Sequence, residues 1–316
     1  MSETIGVDVG GTKVSVARFA GGELDDPVIR PTETADAEQL IEELVAAIGE
    51  VRTADTDAVG MGVPSVVDFA TGTLRSSVNV PFENLPLRQI LGERLGLPVF
   101  VDNDATVAAL AEASDGERIA VENLVMFTVG TGVGGGLVLG GRIYRGATGA
   151  AAEIGHTLIG LDLTGGAPEP PAGFPKPGSL ESLAAGTELD RLAVAMAQAQ
   201  PDSALGRLVA GGRRVDGRDA VEAAQQGDEA AIAAVATLGE RLGVGIASAI
   251  NLLDPEVVAI GGGASAAGEL LLAPARRVAE RYVLNGVGTR TEVRLARRGP
   301  EAGVLGAALL AATEGA

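Results

Sequence analysis

The sequence predicts an α/β protein with two related domains, and three observations support this prediction. A chain of 316 residues is long enough for two domains, each with its own core. Short apolar segments typical of strands alternate with longer segments in which apolar residues recur at helical spacing. A strand–glycine turn–strand pattern occurs twice, at 5–19 and 124–139, about 120 residues apart. This repetition indicates two related domains.

The first third of the chain begins with a predicted β-hairpin. Ile5 to Val9 is an apolar strand, Gly-Gly-Thr-Lys is the turn, and Val14 to Phe19 is the second strand. The elements predicted next are a helix over 36–51 and a buried strand from Val59 to Val63 that ends at Pro64. A strand from Val99 to Val101, ending at Asp102-Asn103-Asp104, and a helix that begins near there and continues through Glu112 follow.

The remainder of the chain contains a second set of strands and longer helices. Leu124 to Val129 is a predicted strand that leads into the glycine-rich stretch 130–136 and a strand from Leu137 to Leu139. The stretch 162–178 is rich in Gly and Pro and predicts an irregular loop. The other predicted elements are helices at 181–199 and 228–253, a strand from Val257 to Ile260, and a helix at 303–312.

Composition excludes several classes of protein. Acidic residues outnumber basic ones by 42 to 24, which gives a formal charge of −18 and makes nucleic acid and anionic membranes poor partners. The absence of cysteine excludes disulfides, thiolate zinc sites and a cysteine nucleophile. The N-terminus lacks a secretory signal pattern, and no apolar run reaches the roughly eighteen residues needed to span a membrane. These features predict a soluble cytoplasmic protein.

Three glycine-rich turns are candidate nucleotide-binding elements. The run from Asp8 to Lys13 combines accessible backbone N–H groups with a hydroxyl and a carboxylate, which bind phosphate and its magnesium. Five glycines in the seven positions 130–136 favour a phosphate cradle over a tight bend. Gly261 to Gly263 follow a strand and suit packing against a purine or ribose. An ordinary hairpin turn explains the first run equally well, and a tight turn explains the third nearly as well.

Polar residues at three further places are candidates for binding and proton transfer. A carboxylate in Asp102-Asn103-Asp104 can accept a hydroxyl proton, although helix capping explains this motif better when it is taken alone. Glu153 and His156, the only histidine, can bind vicinal hydroxyls from one side of a turn, but a surface or packed histidine is the simpler interpretation. Glu181 lies in the first turn of a predicted helix, where the helix dipole alone explains an acid.

The order and spacing of these segments resemble one family, the ROK family of sugar kinases and repressors. That family lies within the actin, hexokinase and heat-shock chaperone superfamily, and the glucokinase-like branch is the nearest resemblance. The matching segments run from residue 5 to about residue 312: IGVDVGGTKVSVA, VGMGVPSVVDFATGTL, VFVDNDATVAALAE, FTVGTGVGGGLVLGG, GAAAEIGH, GSLESLAAGTEL, VAIGGGAS and AGVLGAALLA.

The resemblance implies a two-domain, actin-like ATPase fold of the ribonuclease H-like class, with sugar and nucleotide bound in a cleft between the domains. The smaller α/β domain would comprise 1–104 completed by 303–316, and the larger α/β domain would comprise 105–302. Because dimers are common in the family, we expect a homodimer.

The resemblance also assigns roles to individual residues. Asp104 matches the catalytic base. Sugar-contacting positions of the family match Asn79, Asn103, Glu153, His156 and Glu181, together with Asp104. Positions that bind the nucleotide phosphates match Asp8, Gly10, Gly11, Thr12, Lys13, Thr131 and Gly132, and the adenosine motif matches Gly261, Gly262 and Gly263. Magnesium is expected near Asp8, together with ATP.

Three departures from the family pattern affect the site. Many members carry a cysteine-rich zinc motif before the Gly-x-Leu-Glu segment, with the histidine as a fourth ligand. Because this chain has no cysteine, we expect no zinc, and His156 is left to bind sugar. Ser65 replaces the usual glycine beside the sugar pocket, and Val78-Asn79-Val80 replaces the usual Pro-Asn-Leu.

The expected function is ATP-dependent phosphorylation of a hexose, with glucose converted to glucose 6-phosphate. Kinases for mannose, fructose, allose or N-acetylmannosamine are alternatives, because all occur among relatives. A sugar-responsive, non-catalytic regulator is a further alternative. Family repressors carry a DNA-binding domain before the first phosphate motif, which here begins at Ile5, so the sequence favours an enzyme.

Overall fold

The structure is a computed structural model, and it describes residues 3–77, 79–116 and 118–315. Its Cα positions divide the chain into two compact units. The first unit comprises 1–126, 136–152 and 297–316, and the second comprises 127–135 and 153–296. The sequence-based boundary after Asp104 stays a prediction, because a compact unit need not be an independently folding domain.

The first sheet contains the N-terminal hairpin. Its strands are β1 (Glu3–Val9), β2 (Lys13–Ala20), β3 (Glu23–Leu24), β4 (Val28–Pro31), β5 (Thr56–Val63) and β9 (Val99–Asn103), in the order β3-β2-β1-β5-β9 with β4 on β2. β1 pairs antiparallel with β2 and parallel with β5, and β5 pairs parallel with β9. A small antiparallel sheet of β6 (Ser65–Asp68), β7 (Thr73–Ser77) and β8 (Glu83–Leu85) lies between β5 and β9 in the chain.

Four helices pack with this sheet: α1 (Ala37–Val51), α2 (Leu87–Leu95), α3 (Asp104–Ala113) and α10 (Ala302–Glu314). α1 forms because its apolar residues recur at helical spacing and bury one face, and the Asp36 side chain caps its first turn by accepting from Gln39 N. α10 lies against the backbone of β1 and β5. A Cβ atom on Gly6 or Gly60 would collide with carbonyl oxygens of α10, so these two glycines permit the contact.

A second sheet contains β10 (Leu124–Val129), β11 (Val133–Leu139), β12 (Arg142–Ile143), β13 (Val257–Gly261) and β14 (Glu292–Leu295), in the order β12-β11-β10-β13-β14. The remaining helices are α4 (Leu180–Ala184), α5 (Gly186–Ala199), α6 (Ala204–Ala210), α7 (Gly217–Gln225), α8 (Glu229–Leu253) and α9 (Glu269–Tyr282). α8 is long and apolar enough to cross a membrane, a feature that the sequence analysis missed. However, 61% of its most apolar window is buried inside the structure, as is usual for a core helix.

Most predicted elements are confirmed, and two were wrong in detail. The glycine-rich stretch 130–136 is a turn only over its first three residues, because β11 begins at Val133. The helix predicted over 181–199 is two helices, interrupted at Ala185, where the backbone is extended and Gly186 N donates to Gly130 O (2.7 Å). The strand predicted to end at Asp102-Asn103-Asp104 is confirmed, and it ends at Asn103. Val78, one of the family departures, lies outside the described residues.

Candidate functional site

The predicted site residues fall in both units. The first unit contains Asp8, Gly10, Gly11, Thr12, Lys13, Asn79, Asn103 and Asp104, and the second contains Thr131, Gly132, Glu153, His156, Glu181, Gly261, Gly262 and Gly263. Each group is described within its own unit.

In the first unit, acidic residues meet at the carboxyl ends of three parallel strands. Asp8 on β1 pairs with Gly62 on β5, which pairs with Asp102 on β9, and Asp104 begins α3 directly after β9. A Cβ atom on Gly62 would lie 3.4 Å from the Asp104 Cα and 3.9 Å from Asp8 Oδ1. The missing side chain therefore leaves room for two carboxylates at one sheet edge.

The environment of Asp8 disfavours its charged form. The pKa of the Asp8 carboxyl is raised to about 6, first by burial and then by the neighbouring charge of Asp104, while Lys13 opposes the shift. The start of α10 closes over this carboxyl, since a Cβ atom on Gly303 would lie 2.5 Å from its Cγ. A carboxylate held in this way gains from a bound cation.

The first glycine turn is short and well braced. Gly10 N donates to Lys13 O (2.9 Å), and Thr32 Oγ1 donates to Gly10 O (2.7 Å). Thr12 and Lys13 are exposed. Asn79 lies against this turn in the left-handed backbone region (φ 65°), and a Cβ atom on Gly11 would lie 2.9 Å from the Asn79 Cβ. The fold thus places a predicted sugar ligand beside a predicted phosphate turn.

Asn103 caps the helix that Asp104 begins. Its Oδ1 accepts from Thr106 N (3.1 Å), while its Nδ2 donates to Ser65 O (3.4 Å). Ser65, the residue that departs from the family glycine, is buried, and its hydroxyl donates to Ser76 O (2.7 Å). The capping interpretation of this motif is confirmed. It leaves part of the Asn103 amide able to donate to a ligand, because an amide nitrogen carries two hydrogens.

In the second unit, the turn 130–132 is held by the start of α4 and α5. Gly130 N donates to Gly132 O (2.9 Å), Thr187 Oγ1 donates to Thr131 O (3.3 Å), and Val133 N donates to Glu181 Oε2 (2.8 Å). A Cβ atom on Gly132 would lie too close to Glu181 Oε2, so a side chain there would push the Glu181 carboxylate away from Val133 N. Glu181 therefore holds the second glycine turn through Val133 N, a contact that the sequence did not predict.

Val133 also joins this turn to the segment that carries Glu153 and His156. Gly155 lies directly on the Val133 carbonyl, where a side chain would not fit. The His156 Nε2 and the Glu153 Oε2 are 3.8 Å apart, and the His156 side chain is 37% exposed. The backbone of one residue thus brings Glu153, His156 and Glu181 into one neighbourhood.

Hydrogen bonds and one aromatic contact hold the segment between His156 and Leu180. Leu180 N donates to Thr157 O (2.8 Å), and Ile159 N and Gly160 N both donate to Gly178 O (2.8 and 3.0 Å). The Phe174 ring packs edge-on against the His156 imidazole, with ring centroids 5.2 Å apart. Within residues 3–77, 79–116 and 118–315, no group of three or more His, Cys, Asp or Glu residues could hold a metal ion.

A cavity of about 720 Å³ joins the second turn to the third glycine motif. Its lining includes Gly130 and Thr131 from the turn, and Gly263, Ala264 and Ala266 from the segment after β13. Its volume is within the range of small-molecule sites. Of the three motif glycines, only Gly263 is among the lining residues. Gly262 has a positive φ of 82° and lies against the Val129 backbone, so it serves close packing.

One wall of this cavity was missed by sequence reasoning. It consists of residues from α5 and from α7 with its N-cap: Thr187, Leu189, Asp190, Asp216, Gly217, Arg218, Val221, Glu222 and Gln225. The only sequence signal in this region is the Asp216–Asp219 capping box, which marks a helix start and not a ligand. Two other cavities, of about 520 and 650 Å³, are lined by none of the predicted site residues.

Comparison with known proteins identifies the family of the chain. The ROK family model matches residues 4–314. A glucokinase of Halalkalibacterium halodurans is 36% identical over 310 residues, which cover 96% of this chain and 92% of that protein. A glucokinase of Streptomyces coelicolor is 34% identical over 318 residues, with 98% of each chain covered.

Solved structures extend this similarity to the fold. The crystal structure of a ROK family glucokinase from Streptomyces griseus, in complex with glucose and AMPPNP, superposes with a TM-score of 0.80 and 34% identity, and the match covers 99% of this chain and 100% of that one. The predicted actin-like ATPase fold is confirmed by this match. A family match across nearly the whole chain, with relatives of this identity, shows that the chain belongs to the ROK family.

Proposed function

We propose that this chain transfers the terminal phosphoryl group of ATP to a hydroxyl of glucose, giving glucose 6-phosphate. The observation that carries the proposal is the grouping of Asp8, Asn103 and Asp104 at the carboxyl ends of β1 and β9, in a chain similar to glucokinases over nearly its full length. This grouping supplies a base, a hydroxyl-binding amide and a carboxylate for the nucleotide's cation.

Asp104 is the proposed general base, and it accepts the proton of the attacking sugar hydroxyl. It is the first residue of α3, directly after the end of β9, and a carboxylate within hydrogen-bond reach of a substrate hydroxyl can take its proton. Asn103 offers an amide hydrogen to a neighbouring hydroxyl. Asn79, Glu153, His156 and Glu181 are proposed to bind the other hydroxyls of the sugar. Phosphoryl transfer of this type depends mostly on positioning and electrostatic stabilisation.

The nucleotide is proposed to bind with its phosphates at the two glycine turns and its adenosine in the 720 Å³ cavity beside Gly263. Backbone N–H groups of the turns, with the hydroxyls of Thr12 and Thr131, stabilise charge on the transferred group. A magnesium ion fits near Asp8, because that carboxyl is a hard oxygen ligand whose charge is poorly compensated. The ion would neutralise phosphate charge.

The test is a panel of sugars assayed for ADP release with ATP and magnesium. We expect glucose to have the highest kcat/KM among glucose, mannose, fructose, allose, N-acetylmannosamine and N-acetylglucosamine. A different preferred sugar would replace glucose and leave the reaction type standing. Sugar binding without turnover for every sugar would favour the alternative of a non-catalytic regulator.

The first prediction concerns Asp104. Asp104→Asn should retain sugar binding, measured by calorimetry, and lose about 10²–10⁴-fold in kcat, because general-base catalysis typically contributes that much. Asp26→Asn, which changes an exposed carboxylate of the same unit, is the control and should leave kcat unchanged. A kcat for Asp104→Asn within a few-fold of wild type would show that another group is the base.

We further propose a cytoplasmic homodimer that binds neither nucleic acid nor membranes. The net charge of −18 supports the last two points, because it repels polyanions and anionic lipid. Analytical ultracentrifugation of the purified protein tests the dimer.

A further inference from the structure

Behind the proposed base, an arginine is clamped among two carboxylates and an aromatic ring. Arg145 follows β12, and its Nε donates to Asp102 Oδ2 (2.7 Å) while its Nη2 donates to Glu314 Oε1 (3.0 Å). Its guanidinium carbon lies 3.5 Å from the centroid of the Phe69 ring. All four residues belong to the first unit, and the Arg145 side chain is only 18% exposed. The arginine is thus fixed in one orientation.

Asp102 connects this arginine to the end of β9. Its side chain is 2% exposed, and its second oxygen, Oδ1, accepts from the backbone N–H of Asn103 (2.9 Å). Burial raises the pKa of the Asp102 carboxyl, while the charge and hydrogen bond of Arg145 oppose that shift. A buried carboxylate without such a partner would protonate or move. Arg145 is therefore what keeps the Asp102 carboxylate aimed at Asn103 N.

The same hydrogen-bond chain continues into the site. Asn103 receives a bond from Thr106 N on its side chain and gives its own N–H to Asp102, so both its backbone and its amide are oriented. Asp104 is the next residue, at the start of α3. A displacement of the strand end would move the proposed base and the proposed sugar-binding amide together. Misplacement of reacting groups by about 1 Å can cost about 10²-fold in rate.

A second arginine, Arg88, fixes the backbone and ring of Phe69, against which Arg145 packs. Arg88 donates through Nη2 to Phe69 O (2.6 Å) and through Nη1 to Ala70 O (3.1 Å), and its guanidinium lies 5.1 Å from the Phe69 ring centroid. The ring therefore has a fixed backbone and a cation on its face, which suits a positional role and not a mobile surface pair.

We infer that Arg145 is a positioning residue for phosphoryl transfer: through the buried carboxylate of Asp102 it orients the backbone of Asn103 and, with it, Asp104. The inference rests on the proposed assignment of Asp104 as the base. Glu314, the last residue of α10, holds the other side of the guanidinium, so the C-terminal helix takes part in orienting the site.

Asp102→Asn is the sharpest variant, because it keeps the shape of the side chain. The two donors, Arg145 Nε and Asn103 N, reach different oxygens of Asp102. An asparagine in the same position has an acceptor oxygen at only one of these two places and an NH₂ group at the other. One of the two hydrogen bonds must break, while no unpaired negative charge is left buried. Arg145→Lys keeps the positive charge but loses the planar contact with Phe69 and the two-carboxylate geometry. Arg142→Met, at an exposed arginine of the same strand region, is the matched control.

The experiment measures kcat, KM for glucose and KM for ATP at a temperature well below each variant's Tm. We expect Asp102→Asn and Arg145→Lys to lower kcat by about tenfold or more, with KM for ATP unchanged within twofold and the control like wild type. Combining the two changes should cost little more than either alone, because both break one chain of contacts.

Other outcomes would overturn the inference. A lower Tm with unchanged kcat in both variants would show an ordinary structural ion pair. If Asp104→Asn keeps its turnover, the assignment of the base is wrong. Because this result comes from a different variant, it is distinguishable from a failure of the inference about Arg145. Should Arg145→Lys fail to fold, Asp102→Asn and Glu314→Gln decide the matter, since neither leaves a buried charge unpaired.

Discussion

The two strand–turn–strand segments look alike in sequence and are built differently. The first, from β1 to β2, reads Asp8-Val9-Gly10-Gly11-Thr12, and the second, from β10 to β11, reads Thr128-Val129-Gly130-Thr131-Gly132. The first has a partly buried carboxyl where the second has a threonine hydroxyl. The first turn is braced by Thr32 and Asn79, whereas the second is braced by Glu181 and Gly186.

The difference shows that glycines recur for two physical reasons. Gly130 has open space where a side chain would be, so a ligand can approach this turn closely, although the N–H and C=O of Gly130 are already bonded to Gly132 O and Gly186 N. Gly136 lies inside β11, where a Cβ atom would be 2.5 Å from Ala105 O on α3, so it serves close packing of strand and helix. Glycine density alone therefore overestimated the length of the second turn, which was predicted over 130–136 and ends where β11 begins at Val133.

The largest expected difference between the two segments is in kcat, because only the first segment carries a carboxylate. Asp8→Asn should lower kcat by about 10²-fold, because the carboxylate is proposed to act with the nucleotide's cation, and removal of one electrostatic contact at a transferred group costs about that much. Thr128→Val, the matched change in the second segment, should lower kcat by less than tenfold. Equal losses in the two variants, measured at saturating ATP and magnesium, would contradict the distinction.

The same substitution should stabilise the fold. The folded pKa of Asp8, about 6, is above the ordinary value of 3.8, so its ionisation destabilises the folded state progressively as pH rises from about 4 to 6. At pH 8 without magnesium or nucleotide, Asp8→Asn should raise the free energy of unfolding by about 1–3 kcal/mol. Below pH 4 that gain should vanish. Denaturant unfolding of wild type and variant at pH 4 and pH 8 measures the gain in the free energy of unfolding at each pH. A gain that is independent of pH would refute the electrostatic cause.

The two kinds of glycine can be separated by stability. Gly136→Ala should lower the free energy of unfolding by about 1–3 kcal/mol, because the new methyl group meets a backbone oxygen that cannot move without shifting α3. Gly130→Ala should change it by less than about 1 kcal/mol, since a Cβ atom there meets nothing within 4 Å. If urea unfolding gives the reverse order, the assignment of the turn to 130–132 is wrong.

The smallest expected effect on stability concerns His156. His156→Ala should raise KM for glucose about tenfold, leave KM for ATP within twofold, and change Tm by at most about 2 °C, because the side chain is 37% exposed. Phe174→Ala, which removes the ring beside His156, should raise the same KM by a smaller factor. A large loss of Tm with KM for glucose preserved would identify His156 as a packed structural residue.

The sequence by itself determined the local elements and the family. The hairpin of β1 and β2, the helix cap at Asn103 and the helix at the C-terminus follow from apolar spacing and residue type, which act over a few neighbouring positions. The ordered motifs were sufficient to predict membership of the ROK family and its fold.

Only the tertiary structure decided which distant residues meet. The register of β1, β5 and β9 places Gly62 between Asp8 and Asp102, and the return of α10 brings Gly303 onto Asp8 and Glu314 onto Arg145. The α7 wall of the cavity and the contact of Glu181 with Val133 have the same origin. These contacts join residues tens to hundreds of positions apart, and their partners are selected by strand register and by backbone packing at glycines, which no local pattern in the sequence encodes.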